Sequence, residues 1–243
     1  MSFYRKAAEH RQRQARQKRL AGIAIVAGLS LVVVAVLVFQ SLASAPNPDG
    51  ALVTAEAAAY PQANGKAMGP AGAPVVVQEF SDFQCPYCRM FHEEIQAQLV
   101  ERYVANGAGR VRFEYHHFII IDGNVGGVES RHAAIASECA NEQGGFWQFH
   151  ALLFANQAGE GRGAFSDTRL GQLAGTAGLN TSAFAKCFTS SAAANAVIAD
   201  EQLARQYALN STPSLLVNGQ KVANPLDFAQ VTATIDAALA AAQ

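Results

Sequence analysis

Glu79-Phe80-Ser81-Asp82-Phe83-Gln84-Cys85-Pro86-Tyr87-Cys88 is the stretch that decides the fold, because it joins two patterns of different period. Upstream, Pro74 to Phe80 reads PVVVQEF, a β-branched apolar run suited to a buried strand. Downstream, Cys88, Phe91, Ile95, Leu99 and Tyr103 recur at helical spacing and mark one face of a helix, while Arg89, Glu93, Glu94, Gln98 and Glu101 take the other. Asn106-Gly107 ends that helix. Val111-Arg112-Phe113-Glu114-Tyr115-His116 then alternates apolar with polar and becomes wholly apolar at Phe118–Ile121. Strand, helix and strand in this compass predict a βαβ unit with a right-handed crossover.

Outward from this unit the signals change. A short edge strand is expected near Lys66. From about 125 to 209 the pattern is helical, punctuated at Gly144-Gly145, Gly159 to Gly163 and Gly178. Strand period returns in Ser211-Thr212-Pro213-Ser214-Leu215-Leu216-Val217, followed by the hairpin signal Asn218-Gly219 and by Gln220-Lys221-Val222. Pro225 is expected to start a last helix, with Leu226, Phe228, Val231, Ile235 and Leu239 buried. The predicted order is βαβ, a helical block, then ββα.

Cys85 and Cys88, two residues apart where a strand passes into a helix, form the arrangement of thiol–disulfide redox chemistry. Cys85 sits at the helix start, beside unpaired N–H groups and the positive end of the helix dipole, which favour its thiolate. Pro86 at the first helical position needs no N–H. Cys88 falls on the apolar stripe and points inwards. Cys85 is therefore the expected exposed nucleophile and Cys88 the shielded resolving thiol. A zinc site would need a second Cys or His pair at ribbon or finger spacing, which is missing, so no metal is expected; a purely structural bridge would not need a helix N-terminus. Glu79, six residues before Cys85 on a buried strand, is the expected proton acceptor for Cys88. Asp82, His116 and His117 are weaker candidates. Gly159-x-Gly161-x-Gly163 lacks the strand and spacing of a dinucleotide loop and reads as a flexible connection. No metalloprotease, phosphate-loop or nucleophile-elbow motif is found.

The 243 residues carry 18 basic and 19 acidic side chains, but unevenly. Residues 1–19 hold seven Lys or Arg and one acid, a local charge of +6, leaving −7 for the rest. Leu20 to Phe39 is uncharged and, at about 1.5 Å per residue, spans roughly the 30 Å of a bilayer core. It is read as one transmembrane helix rather than a cleaved signal, although Ala43-Ser44-Ala45 imitates a cleavage site. The basic tail places the N-terminus in the cytoplasm and everything beyond Gln40 outside a cell membrane. Residues 40–63, rich in Ala and Pro, read as a flexible linker of roughly 25 Å reach, and 64–243 as the globular body. The acidic body argues against nucleic acid.

The run EFSDFQCPYC, His92 beyond it, the helical block between two halves and the late TPSLLVNG together resemble membrane-anchored or secreted bacterial DsbA-like thiol–disulfide oxidoreductases. The resemblance covers roughly residues 64–243. It implies an α/β, thioredoxin-like fold with an inserted helical domain, a redox disulfide Cys85–Cys88, a buried acid at Glu79 and a cis proline at Pro213, with Thr212, Pro86 and Tyr87 flanking bound substrate. It also implies no cofactor, exported protein clients, and a quinone-coupled membrane reoxidase of the DsbB or vitamin K epoxide reductase type. Cys139 and Cys187 make an even count in an oxidising compartment and are expected to form a structural disulfide, an electron relay being the alternative. The expected activity is insertion of disulfides into exported proteins. A reductase or isomerase kept reduced by a membrane donor, or a client-binding module with incidental cysteines, are the alternatives.

Overall fold

The computed structural model describes residues 50–55 and 58–242. The basic tail, the apolar run Leu20–Phe39 and the first part of the linker lie outside the described residues. Among the described residues no helix is long and apolar enough to cross a membrane.

Strands β1 (Ala67–Met68), β2 (Val75–Ser81), β3 (Val111–His117), β4 (Ser214–Val217) and β5 (Gln220–Lys221) form one sheet in the order β1-β3-β2-β4-β5. β2 and β3 are parallel, from Val75 opposite Val111 to Ser81 opposite His117, and the other pairings are antiparallel. Alternation along β2 and β3 sends Val75, Val77, Glu79 and Ser81, with Val111, Phe113, Tyr115 and His117, to one face. That face meets the main core, which includes Phe91, Ile95, Trp147 and Phe154. Phe80 and Leu216 face the other way into a smaller cluster with Phe118, Ala204 and Leu209.

The predicted crossover is a helical run made of α1 (Pro86–Met90), a π-helical stretch Phe91–Gln96, α2 (Ala97–Leu99) and a second π-helical stretch Val100–Ala105. The inserted block contains α3 (Ile121–Val125), α4 (Glu129–Glu142), α5 (Phe146–Ala155), α6 (Asp167–Thr176), α7 (Thr181–Phe188) and α8 (Ser191–Gln206). It begins slightly before the predicted 125. A disulfide joins Cys139 on α4 to Cys187 on α7. Asn218 and Gly219 both take positive φ, 49° and 80°, which closes the β4–β5 hairpin. The last helix, α9 (Phe228–Ala241), starts three residues after Pro225, because Asp227 rather than the proline supplies the cap: its side chain accepts from the Gln230 N–H.

The linker reading needs correction over its described part. The Arg169 guanidinium donates to the Gly50 carbonyl at 3.0 Å, and Val53 and Asn156 exchange two hydrogen bonds of 2.9 and 2.8 Å. Leu52, Ala55 and Tyr60 pack on the core. The polar contacts fall on backbone groups of the segment and the apolar ones on three unevenly spaced side chains, so no hydrophobic period announces them.

Candidate redox site

Cys85 is the N-cap of α1, and its carbonyl accepts from the N–H groups of Cys88 and Arg89. Its thiol donates to the carbonyl of Thr212, 3.4 Å away, and the Thr212–Pro213 peptide bond on that loop is cis. The hydrogen bond from the Cys88 thiol is the largest influence on Cys85. With the Thr212 side chain and the N–H groups of Cys88 and Tyr87 it outweighs burial and lowers the Cys85 pKa to about 6. Cys88 is fully buried, receives the Asp82 N–H at 3.5 Å, and is pushed well above the ordinary thiol range by burial and by the neighbouring Cys85. Both cysteines are free thiols here, so this is the dithiol form.

One expectation is overturned. Cys85 is only 4% exposed, not an open nucleophile, because the Thr212 loop covers it. What reaches solvent is its surroundings: Pro86 is exposed and Tyr87 is 58% exposed.

Glu79 is wholly buried in mid-sheet, neither carboxylate oxygen makes a well-aligned hydrogen bond among the described residues, and burial, only partly offset by the neighbouring Ser81 hydroxyl, pushes its pKa up to about 8. Asp82 has a different task. Its carboxylate accepts from the backbone N–H groups of Gln84, Ile120 and Ile121, tying the loop before Cys85 to the start of α3. His116 bonds Asp200, and His117 contacts Glu138 through Nε2 while its Nδ1 has no partner among the described residues, so both belong to a network around Lys66. His117, Glu138 and Asp200 lie close enough to hold a cation, but the Lys66 ammonium already bridges the two carboxylates.

The sequence reading missed two glutamines. Gln84, 1% exposed, donates to Asp122 (3.0 Å) and Ser130 (2.8 Å), and its carbonyl accepts from the Gly161 N–H at 2.7 Å. Gln157 donates to the carbonyls of Phe83 (2.6 Å) and Cys85 (3.1 Å). The glycine-rich segment read as flexible is thereby fixed beside the motif, and Glu129 holds it again through the N–H groups of Gly163 and Phe165. The only sequence signal was position: Gln84 adjoins Cys85, and Gln157 opens the glycine-rich stretch.

A dithiol at a helix start, covered by a cis-proline loop and preceded by a strand that carries a buried acid, is equipped for thiol–disulfide exchange, and this defines the class of protein. The chain belongs to the thioredoxin family, whose model matches residues 62–237. It is 28% identical to disulfide bond formation protein D of Bacillus subtilis over 172 residues, 70% of this chain and 74% of that protein. It is also 31% identical over 175 residues to Na(+)/H(+) antiporter NhaA 3 of Salinispora tropica, matching 72% of this chain but spanning only 25% of the antiporter. Among solved structures, oxidised BdbD of Bacillus subtilis matches with a TM-score of 0.65 and 26% identity, over 77% of this chain and all of that one. A thioredoxin-like oxidoreductase of Silicibacter pomeroyi matches with a TM-score of 0.59 and 27% identity, over 73% and 93% of the two chains.

Proposed function

We propose that this protein is a thiol–disulfide oxidoreductase that inserts disulfides into exported proteins. The observation that carries the reading is the placement of the two sulfurs: Cys85 at the helix start, 3.4 Å from the Thr212 carbonyl on the cis-proline loop, and Cys88 buried behind it, which favours the thiolate on the first and the thiol on the second. A client thiolate attacks Cys85 of the oxidised pair, forming a mixed disulfide and expelling Cys88. A second client thiol then attacks the client sulfur, expelling Cys85 as thiolate and leaving the enzyme reduced. Stabilising the Cys85 thiolate stabilises the reduced enzyme and so makes its disulfide the stronger oxidant. Pro86, Tyr87 and Thr212 border the sulfur where an extended client would lie, with Pro213 shaping the loop. Similarity to proteins named for disulfide bond formation supports the same direction.

The apolar run Leu20–Phe39 would hold the body on the outer side of a cell membrane, near a quinone-coupled reoxidase of the DsbB or vitamin K epoxide reductase type. Equilibration with glutathione buffers tests the direction. The expected potential lies above about −200 mV, and one below about −270 mV would make the protein a reductase.

A further inference from the structure

Eight buried side-chain nitrogen and oxygen atoms have no hydrogen-bond partner among the described residues, and all belong to Glu79, Ser81, Tyr115, His117, Trp147 and His150. These six residues are contiguous. Glu79 stands opposite Tyr115, and Ser81 opposite His117, in the β2–β3 register. The Tyr115 ring meets those of His117 and His150 at 5.2 and 4.9 Å, and Trp147 meets His150 at 5.2 Å. Buried polar groups are almost always satisfied, by water where protein is lacking, so such a concentration in one place marks a polar seam inside an apolar core. The seam has an outlet. His150 packs against His92 at 4.9 Å, and His92 lines a cleft of about 350 Å³ with Tyr60, Met68 and Gln96.

We infer that this seam is a proton path from Glu79 to the His92 cleft, with His150 as its relay, so that the proton used at Cys88 enters from behind the sheet rather than past the client. The inference rests on the exchange reading. When the client thiolate breaks the Cys85–Cys88 bond, a client–Cys85 bond forms and the electron pair leaves on Cys88. Glu79 gives its proton to that thiolate and becomes a carboxylate, and a proton from solvent passes His92, His150 and Tyr115 to restore it. Reoxidation returns the proton outward. His150 faces His92, His117 and Tyr115 and no carboxylate directly, so it stays neutral, and a neutral imidazole can accept on one nitrogen while donating from the other.

Single-turnover reduction of the oxidised full chain by glutathione, sampled by acid quench and alkylation across pH and in D2O, tests the path. His150→Phe and His92→Phe, both checked for native unfolding transitions, are expected to leave release of Cys88 unchanged but to slow the uptake of the solvent proton that restores Glu79, followed with a pH-indicator dye in the same turnover, by about tenfold with a larger solvent isotope effect. His150→Gln, which keeps a donor and an acceptor, is expected to restore most of the rate. Folded Phe variants within about twofold of wild type, with its isotope effect, would overturn the path. Failure of the wild type to form any mixed disulfide would overturn the exchange reading itself.

Discussion

The carbonyl oxygen of Thr212 lies 3.4 Å from the Cys85 sulfur and accepts its proton. That contact suits the thiol, and the low Cys85 pKa comes chiefly from the Cys88 thiol, with the Thr212 side chain and two backbone N–H groups adding to it. Thiolate absorbance near 240 nm is therefore expected to titrate with a midpoint at about pH 6. Replacing Cys88 by Ala should raise that midpoint by about one unit or more, because a hydrogen bond to a charged acceptor is worth roughly 1.5–3 kcal/mol. An unchanged midpoint would assign the shift to the helix terminus and the Thr212 side chain.

The same variant bears on the roles of the two sulfurs. Without the buried thiol a client disulfide on Cys85 cannot be resolved internally, so Cys88→Ala is expected to accumulate mixed disulfides, seen as reductant-sensitive bands on non-reducing gels. Cys85→Ala should accumulate none. Bands of equal intensity in both variants would mean the assignment is reversed or shared.

Glu79 makes stability depend on pH with a definite sign. Its folded pKa of about 8 is above the 4.5 of an ordinary glutamate. Below pH 4.5 the group is neutral in both states and exacts no cost. As pH rises from there to about 8 the unfolded chain ionises first and stability is lost. In the oxidised protein, where neither redox sulfur titrates, Glu79→Gln is expected to flatten this slope and to gain on the order of 2–4 kcal/mol at pH 8, measured by urea unfolding at pH 4.5, 6 and 8. A parallel slope in both proteins would show that the carboxyl is solvated.

Lys66 is the cation between Glu138 and Asp200. Burial opposes ionisation of Glu138, yet His117 and Lys66 hold its pKa at about 2. Lys66→Met leaves both carboxylates buried beside one another and should cost about 3–5 kcal/mol at pH 7 by denaturant unfolding. A loss under about 1 kcal/mol would mean that water already screens the group.

Gln84→Ala removes the donors to Asp122 and Ser130 and the acceptor of the Gly161 N–H. The expected result is a loss of about 2–4 kcal/mol, with new proteolytic cleavage between 158 and 164 under native conditions. Resistance equal to wild type would show that the Glu129 bonds alone hold the loop.

What the sequence made legible was whatever has a period or a punctuation mark. β2, the crossover helix and the Asn218-Gly219 hairpin announce themselves within a few residues, and Cys85 with Cys88 takes its chemistry from its place at a helix start. The site's other members carry no local mark. His150 sits in the apolar run FWQFHALLFA, where a histidine reads as core, and only its contact with Tyr115 from another element gives it a role. Gly161 looked flexible because glycine is permissive, whereas its conformation is fixed by a side chain 77 positions earlier. Cys85 looked open because its cover comes from Thr212, 127 residues away.

The two glutamines point in opposite directions across the same boundary: Gln84 reaches from the motif into the inserted helices, and Gln157 reaches back to the motif's own carbonyls. The insertion is consequently not a removable module. Excising residues 121–206 would strip the peptide groups around Cys85 of their partners as well as trimming a surface, so no minimal version of this domain should retain its chemistry. Conversely, any displacement of the inserted helices would reach the peptide groups beside the sulfur through two side chains.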